Sequence, residues 1–253
     1  MYKRYIKLLK LKKDDTLLVS SNILPFAYYS GLELGRAFNP TAFIDDLQST
    51  IPEGTLLFPV FNYGFCEGAT FDYKNTPPQN MGTLSNAAFN RPDFSRTKHP
   101  VFSFMVWGKL KEEFLALNNS DAFGLDSPFA LLYDMNAKNL LIDIPYNESF
   151  TFAHFVEEQE RAPYRYTKSF TSDYIDEHGN KNRRTITLYV RRLEDGVENN
   201  INPTGKIMEG CNAVKIINPL LESTWKLIDL RQAYDIIAEQ IHFNPDNIRT
   251  IKK

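Results

Sequence analysis

The feature that most constrains this fold is an alternation of short apolar runs with amphipathic stretches. Thr16–Ser20 and Thr55–Val60 are continuously apolar and rich in strand-forming residues, which predicts strands buried on both faces. Between them, residues 40–50 carry their apolar side chains at helical spacing and end before a Pro-Glu-Gly stop. Strands and helices that alternate at this length are typical of a layered α/β domain.

The rest of the chain follows the same rule. The further predicted helices are 3–11, 83–90, 109–117, 127–134, 150–159 and a C-terminal one from Leu230 to Ile241, and the further strands are His99–Trp107 and Asn139–Ile144. Residues 176–181 separate two β-prone stretches, Ser169–Ile175 and Thr185–Arg191, which predicts a hairpin. We therefore expect one three-layer α/β domain over 1–253 around a mixed central sheet, with a small β excursion at 165–200.

Charge and composition exclude several classes of protein. The 29 basic and 31 acidic residues give a net charge of −2, so no broad basic face is available for nucleic acid. No apolar run approaches the ~18 residues of a membrane span, and the first residues lack a signal-peptide core. We expect a cytoplasmic protein with no membrane or nucleic-acid partner, and the sequence does not indicate an oligomeric state.

Cysteine and histidine spacing gives no support for a metal site. Cys66 and Cys211 are far apart, and neither belongs to a Cys/His cluster with ligand spacing, so we expect free thiols and no metal. Cys66 could act as a nucleophile beside a histidine, but no nucleophile motif surrounds it. Packing is the more common role of such a thiol.

The segment 151–158 contains the pattern best suited to acid–base chemistry. On a helix, Glu157 lies one turn after His154, and Glu158 shares that side of the helix. A carboxylate beside an imidazole fixes its tautomer and stabilises its protonated form, as a general base requires. From spacing alone, a surface histidine with solvated glutamates remains the alternative.

Phosphate-binding motifs of the usual kind are absent from the sequence. Ser20, Ser21 and Asn22, just past the carboxyl end of a predicted central strand, are then the best phosphate or amide contacts that this topology offers. His99, between basic residues and a predicted strand, could bind an anionic cofactor tail. A simple turn and a structural histidine are the alternative interpretations.

Several segments, taken in chain order, resemble one known family. They are Asp15–Ser21, Gly54–Phe61, Phe71-Asp72, Thr76-Pro77, Met81–Ser85, Arg96 to Pro100 with Ser103, Ser127–Phe129, Leu140–Ile142, His154 with Glu157, and Ala213–Arg231. This ordered set resembles the aminoglycoside 3-N-acetyltransferase family, enzymes that acylate amines with acyl-CoA. The resemblance covers most of the chain.

The resemblance implies roles for individual residues. His154 is expected to act as general base, assisted by Glu157, in a ternary complex of acetyl-CoA or another acyl-CoA with a small-molecule amine. The implied cofactor contacts are Ser20, Ser21, Asn22, Met81, Gly82, Thr83, Ser85, His99 and Ser103, and the implied substrate contacts are Tyr63, Asp72, Thr76 and Glu158. No metal is implied.

The chain departs from the family pattern in two places. Ser20, Ser21 and Asn22 stand where the family often has His-Ser-Ser. The small apolar residues expected after His99-Pro100 are replaced by large aromatic ones, Phe102, Phe104 and Trp107. These rings either line a site for a larger acyl group or fill the core.

Charge also bears on the substrate. Aminoglycosides are polycations that call for a strongly acidic cleft, whereas this chain is nearly neutral. A modest acidic site could form from Glu67, Asp72, Glu157, Glu158 and Glu160. We therefore favour a single-amine substrate, such as an amino sugar carried on a nucleotide, over an aminoglycoside. The alternatives are a binding protein of the same fold without turnover and a Cys66-dependent thiol hydrolase.

Overall fold

The computed structural model describes residues 1–252. Its strands are β1 (Thr16–Ser21), β2 (Thr55–Pro59), β3 (Phe71–Asp72), β4 (Ser95–Arg96), β5 (Phe104–Gly108), β6 (Lys138–Ile142), β7 (Arg165–Ile175), β8 (Lys181–Arg191), β9 (Val197–Asn199), β10 (Val214–Leu220), β11 (Ser223–Asp229) and β12 (Arg249–Ile251). Its helices are α1 (Lys3–Ile6), α2 (Leu24–Leu34), α3 (Pro40–Thr50), α4 (Gly82–Phe89), α5 (Lys111–Ala116), α6 (Pro128–Asp134), α7 (Tyr146–Ser149), α8 (Phe152–Gln159), α9 (Asn202–Gly210) and α10 (Leu230–Phe243). Within 1–252, none of these helices combines the length and the apolar character needed to cross a bilayer.

The centre of the molecule is a seven-stranded mixed sheet in the order β10-β11-β6-β1-β2-β5-β4. β1 lies between β2 and β6 and is parallel to both, and the outer strands on each side are antiparallel. The three parallel strands therefore end at one edge of the sheet, where the segments that follow them meet. The predicted mixed sheet is confirmed.

Alternating side chains of the sheet face two apolar cores. Leu17 and Val19 belong to one core, with residues of α1, α2, α3 and α4, whereas Leu18 belongs to the other, with residues of α6, α8 and α10. A strand that alternates two apolar faces must be covered by helices on both sides. The three predicted layers follow from this pattern.

The hairpin predicted in the second half of the chain is present and longer than expected. β7 and β8 pair from Arg165↔Arg191 to the turn, and β3 adds a third, parallel strand. The carboxylate of Asp176 accepts the backbone N–H groups of His178 and Asn180 at 2.9 and 2.8 Å, which closes the turn. The apolar side chains of the hairpin pack into the same core as α8.

Several elements were not predicted from the residue pattern, among them α2, α9 and the antiparallel pair β10–β11, although the family resemblance implies a strand within 213–231. α2 exposes Leu24, Tyr28 and Leu32, so its apolar residues do not mark one buried face. The strand predicted from His99 starts only at Phe104, because residues 99–102 form a turn around the His99 ring.

Candidate active site

The pair His154 and Glu157 forms as the spacing predicts. Both lie on α8, and His154 Nδ1 is 2.6 Å from Glu157 Oε2. Nδ1 has two partners, the Glu157 carboxylate at 2.6 Å and the Arg165 guanidinium at 3.0 Å; we assign the proton to Nδ1 because the carboxylate is nearer and can only accept, which leaves the lone pair of Nε2 free. The His154 side chain is 25% exposed and that of Glu157 is 2% exposed, so the imidazole faces open space while the carboxylate lies behind it.

A third residue, Arg165 at the start of β7, completes the arrangement. Its Nε lies 2.9 Å from Glu157 Oε2, and its terminal nitrogen lies 3.0 Å from His154 Nδ1. The same guanidinium donates to Asn199 Oδ1 at 2.7 Å and to the Tyr189 carbonyl at 3.0 Å. Arg165 therefore links α8, the hairpin and β9 next to the pair His154 and Glu157, which we call the dyad.

These contacts set the charges of the dyad. Burial and the adjacent Arg165 guanidinium lower the pKa of His154, against the opposite influence of Glu157. Burial alone would raise the pKa of Glu157, but Arg165 and His154 outweigh it and hold that pKa below its usual value. The dyad is thus an ionised carboxylate beside a neutral imidazole near pH 7, which is the resting form of a general base.

His154 stands between two cavities, and three residues line both of them: Tyr63, His154 and Asn199. Cavity 1, about 180 Å³, is walled mainly by the segment 146–154. Cavity 2, about 380 Å³, is walled mainly by the hairpin. A base with a cavity on each side can contact two ligands at once.

The topology explains where cavity 1 lies. Tyr63 follows β2, and the segment 146–151 follows β6, so this cavity opens at the edge where the parallel strands end. β1 lies between those strands, and Ser21 at its carboxyl end therefore lies between the same two walls. Ligand sites of α/β sheets are commonly found at this edge.

The predicted cofactor contacts at the end of β1 and those at the start of α4 lie next to each other at this edge. Gly82 has φ +78°, and a Cβ on it would come within 3.1 Å of the Ser21 carbonyl oxygen, so the loop before α4 touches the end of β1. Asn22, Gly82 and Thr83 are exposed, Ser21 and Met81 are half-buried, and Ser20 and Ser85 are buried. None of these residues lines cavity 1 or cavity 2 itself.

His99 and Ser103, two of the predicted cofactor contacts, are buried. His99 is 1% exposed and its Nδ1 accepts from Val101 N and Phe102 N, and burial lowers its pKa to about 3. Ser103 Oγ accepts from the buried Arg96 guanidinium and donates to the Val60 carbonyl. Both side chains hold loops in place, and their assignment as cofactor contacts stays a prediction.

Among the predicted substrate contacts, one residue lines the cavities and the others do not. Tyr63, 44% exposed, lines both cavities beside His154. Asp72 and Thr76 instead close a local turn: the Asp72 carboxylate accepts from Lys74 and Asn75, and Thr76 Oγ1 accepts from Asp72 N. They line neither cavity 1 nor cavity 2, and their assignment as substrate contacts stays a prediction.

Glu158 also lies outside both cavities, although it neighbours Glu157 in sequence. Burial and the nearby carboxyl of Asp121 raise its pKa to about 8. Glu160 binds Tyr234 and His242 on another surface. Of the acidic residues considered as a shared site, Glu157 contacts His154, whereas Asp72, Glu158 and Glu160 line neither cavity.

The other reactive groups have plain roles. Burial raises the pKa of the Cys66 thiol to about 11, so little thiolate forms near neutral pH. Both cysteines are free thiols. Phe104 is fully buried, whereas Phe102 lines cavity 2. In the part of the chain that the structure describes, no cluster of His, Cys, Asp and Glu has the arrangement of a metal site.

Two residues of the site, Arg165 and Asn199, were not expected from the sequence. Both fall in the stretch that the sequence marks only as a β excursion. An arginine at the start of a strand and an asparagine at the end of a short strand have no characteristic sequence spacing that would relate them to His154. Pairing of a buried glutamate with a distant basic residue is the general expectation, but the partner cannot be identified from one sequence.

Comparison with known proteins is consistent with this geometry. The family model described as aminoglycoside 3-N-acetyltransferase matches residues 33–242. The SPbeta prophage-derived aminoglycoside N(3′)-acetyltransferase-like protein YokD of Bacillus subtilis (strain 168) is 26% identical over 183 residues. That alignment spans 63% of this chain and 64% of YokD, so less than two thirds of each.

Solved structures share the fold at greater length. The crystal structure of YokD superposes with a TM-score of 0.78 at 22% identity, covering 96% of this chain and 93% of that one. AAC-IIIb in a binary complex with CoASH gives 0.76 at 17% identity, covering 94% of each chain. Sisomicin-bound AAC-VIa gives 0.76 at 16% identity, covering 94% of this chain and 95% of that one.

Proposed function

The chain belongs to the aminoglycoside 3-N-acetyltransferase family, and from that premise we propose that it transfers an acetyl or other acyl group from acyl-CoA to the amine of an amino sugar. His154 is the general base and Glu157 assists it. The acceptor is an amino sugar that is either linked to a nucleotide or part of an aminoglycoside.

One observation carries this proposal: His154 lines both cavity 1 and cavity 2, while its Nδ1 is held by Glu157. A reaction of two substrates without a covalent enzyme intermediate needs both bound on either side of one base. A single-substrate hydrolase would need only one cavity. A solvated surface histidine would not have its carboxylate partner buried to 2% exposure.

The chemistry follows from the protonation of the dyad. The amine nitrogen attacks the thioester carbonyl carbon, and His154 Nε2 takes the proton that the nitrogen must lose. The C–N bond forms, the C–S bond breaks, and the thiolate of CoA leaves and takes up the proton from the imidazolium. Glu157 stabilises the imidazolium through Nδ1–H while it lasts.

We assign the acyl-CoA arm to cavity 1 and the amine to cavity 2. Cavity 1 is the smaller one and suits the slender arm of the thioester, and Ser21 and Gly82 adjoin its edge of the sheet. Polar side chains of Asn147 and Asn199 line it and can bind amide groups. Cavity 2 is larger and is walled by the hairpin, which suits the bulkier acceptor.

The two alternatives are less well supported. A Cys66 hydrolase needs a thiolate, and the raised pKa of that thiol opposes it. A binding protein without turnover would have no use for a buried Glu157–Arg165 pair that orients an imidazole. The intact dyad therefore favours the enzyme.

The test measures thiol release from acetyl-CoA with a panel of amino sugars, nucleotide-linked amino sugars and aminoglycosides. Wild type, His154→Ala and His242→Ala are compared, because His242 is an exposed histidine that also pairs with a glutamate. We expect turnover in wild type and His242→Ala, loss in His154→Ala, and CoA binding by calorimetry in all three. CoA binding without turnover on any amine would favour the binding protein, and absence of CoA binding would overturn the proposal.

A further inference from the structure

One wall of cavity 2 is aromatic and begins beside His154. The Phe123 ring packs against the imidazole in an edge-to-face arrangement, with 5.9 Å between ring centres. Phe102 follows at 5.0 Å from Phe123, and Tyr63 lies 5.8 Å from Phe102. All three rings line the cavity. They form one continuous surface that leads away from the base, which we call the aromatic wall.

The hairpin adds an apolar surface to the same cavity. Leu188 and Val190 are two residues apart on β8 and so share one face of the strand. Phe170 lies two residues after Lys168, which is the partner of Leu188 in the register, so its ring projects from that same face. All three apolar side chains line cavity 2. The cavity is therefore bounded by apolar groups on the hairpin as well as on the aromatic wall.

The apolar lining of cavity 2 lies deep in the molecule. Phe123 is 2% exposed, Phe102 is 5% exposed and Leu188 is 6% exposed, and all three belong to the same core as α8. Phe170 and Val190 are half-buried and pack against that core. A cavity of about 380 Å³ that opens onto such side chains favours an apolar ligand, since a polar group finds no hydrogen-bond partner on them.

Of the groups that react, only the acyl chain is apolar. The hydroxyl groups of an amino sugar need polar partners, and Arg191 and Asn199 in the polar part of the lining offer them. The thioester carbonyl must lie beside His154 for general-base attack by the amine. The substituent on that carbonyl would then contact Phe123 first, because this ring packs against the imidazole. An acetyl group would place one methyl there and leave most of the aromatic wall uncovered.

Building on the proposed function, we propose that the transferred acyl group is a straight apolar chain longer than acetyl, which lies in cavity 2 between the aromatic wall and the hairpin residues Leu188, Val190 and Phe170. These residues determine the specificity for the acyl donor. The bond changes are those of the proposed reaction: the C–N bond forms, the C–S bond breaks, and CoA leaves with the proton that the amine loses.

The experiment compares acyl donors that share CoA and differ in chain length. Acetyl-CoA, butyryl-CoA and hexanoyl-CoA are assayed by thiol release with the best acceptor of the amino-sugar panel. The blocking variant is Val190→Phe, which adds a ring at a half-buried position that lines the cavity. The matched control is Thr185→Phe, which adds the same ring on β8 at an exposed position that does not line cavity 2.

We expect wild-type kcat/KM to rise by about 10-fold from acetyl-CoA to butyryl-CoA, because burial of each methylene contributes about fourfold. Val190→Phe should lower the ratio of kcat/KM for hexanoyl-CoA to that for acetyl-CoA by about 10-fold or more, as a misfit in an apolar pocket does. Thr185→Phe should leave that ratio unchanged. A wild-type preference for acetyl-CoA, or a ratio that Val190→Phe does not alter, would overturn the inference.

A smaller substitution covers the case in which Val190→Phe does not fold. Val190→Leu adds a single methylene to the same wall and should lower the same ratio by a smaller factor. The chain-length series in wild type needs no variant, so it decides against the inference on its own if kcat/KM does not rise.

The acceptor is the other group that could occupy the apolar part of cavity 2. In that case Val190→Phe would raise the KM for the amine equally with acetyl-CoA and hexanoyl-CoA, and kcat/KM for the donors would not depend on chain length. This result would show that the apolar surface binds the acceptor, and the inference would be wrong.

Failure of the proposed function gives a different result. If wild type turns over no amine, calorimetric titration with the unreactive thioethers S-ethyl-CoA and S-hexyl-CoA tests the cavity without turnover. Tighter binding of the hexyl thioether that is lost in Val190→Phe and kept in Thr185→Phe supports the inference. Equal affinities for the two thioethers, or no binding of either to wild type, refute it.

Discussion

Two histidines of this chain, His154 and His99, lie at opposite ends of one aromatic pair. His99 packs against Phe102 at 6.1 Å between ring centres, and His154 packs against Phe123 at 5.9 Å. Phe102 and Phe123 are themselves 5.0 Å apart. Burial lowers the pKa of both histidines.

The two rings nevertheless hold opposite tautomers. His99 Nδ1 accepts from two backbone N–H groups, so its proton must be on Nε2. His154 Nδ1 faces a carboxylate, so it donates and leaves the Nε2 lone pair free. The comparison teaches that burial and a lowered pKa do not identify a base. A base is identified by the hydrogen-bond partner of one ring nitrogen and by the open space beside the other.

The strongest test of this contrast is the pair His154→Ala and His99→Ala. We expect His154→Ala to lower kcat by about 10²–10⁴-fold, the usual share of a general base. His99→Ala should leave kcat within severalfold but lower the free energy of unfolding by roughly 2 kcal/mol, because two buried N–H groups lose their acceptor. Steady-state kinetics measures kcat, and urea unfolding measures stability. A large loss of kcat in His99→Ala with unchanged stability would contradict the different roles given to the two histidines.

Glu157→Gln tests whether the charge behind His154 matters beyond its shape. Glutamine can still accept from Nδ1–H, but it no longer stabilises the imidazolium and leaves the Arg165 charge unmatched. We expect kcat to fall by about 10–100-fold, less than in His154→Ala. Unchanged kcat at equal CoA affinity would show that the carboxylate only positions the ring.

Arg165→Gln moves the pH dependence of His154. The guanidinium lowers the pKa of His154, so its removal raises that pKa and the base becomes protonated at higher pH. We expect the acid limb of the kcat/KM profile to shift upward in pH, with a severalfold loss at pH 6 that is smaller at pH 8. Arg192→Gln is the control, since Arg192 donates to the Pro163 carbonyl and not to the dyad. A limb that stays in place would contradict the role given to Arg165.

Glu158→Gln extends the contrast to neighbouring carboxyls and has the smallest expected effect. Glu157 is ionised beside Arg165, whereas burial and the nearby Asp121 carboxyl raise the pKa of Glu158 to about 8. A raised pKa means that folding favours the protonated form, so this stability is complete below about pH 4.5 and is lost as pH rises through about 8.

Glutamine mimics that protonated form. We therefore expect Glu158→Gln to raise Tm by a few degrees at pH 9 and by little at pH 5, since ~1 kcal/mol corresponds to about 2–4 °C at this size. Thermal melts of both proteins across this range measure the difference. A Tm change independent of pH would show that Glu158 is ionised in the folded protein.

Local pattern was sufficient for much of the fold and for the centre of the site. The apolar runs at β1, β2 and β6 and the helices α3, α8 and α10 were predicted close to their observed bounds. His154 and Glu157 are one helical turn apart, so helix geometry alone brings their side chains together. These features depend on neighbours within a few residues.

The sequence interpretation was less successful where contacts join distant segments. His99 and Asp72 have the residue types of ligand contacts, but the fold turns them into a loop anchor and a local turn. No local pattern identifies Arg165, because it lies 11 residues after His154, on the strand that follows the helix and a loop. β10 and β11 were not predicted from the residue pattern, because their half-exposed faces do not form apolar runs; only the family resemblance implied a strand there.

Hydrophobic periodicity and helix spacing act over short distances, so the layered α/β class, the central parallel strands and the imidazole–carboxylate pair can be predicted from the residues alone. The free nitrogen of His154, the pairing of Arg165 with the buried charge of Glu157 and the presence of His154 in the walls of two cavities depend on the folded chain. Burial, tautomer and charge pairing all depend on which distant segments the packed core brings into contact, and one sequence does not record those contacts.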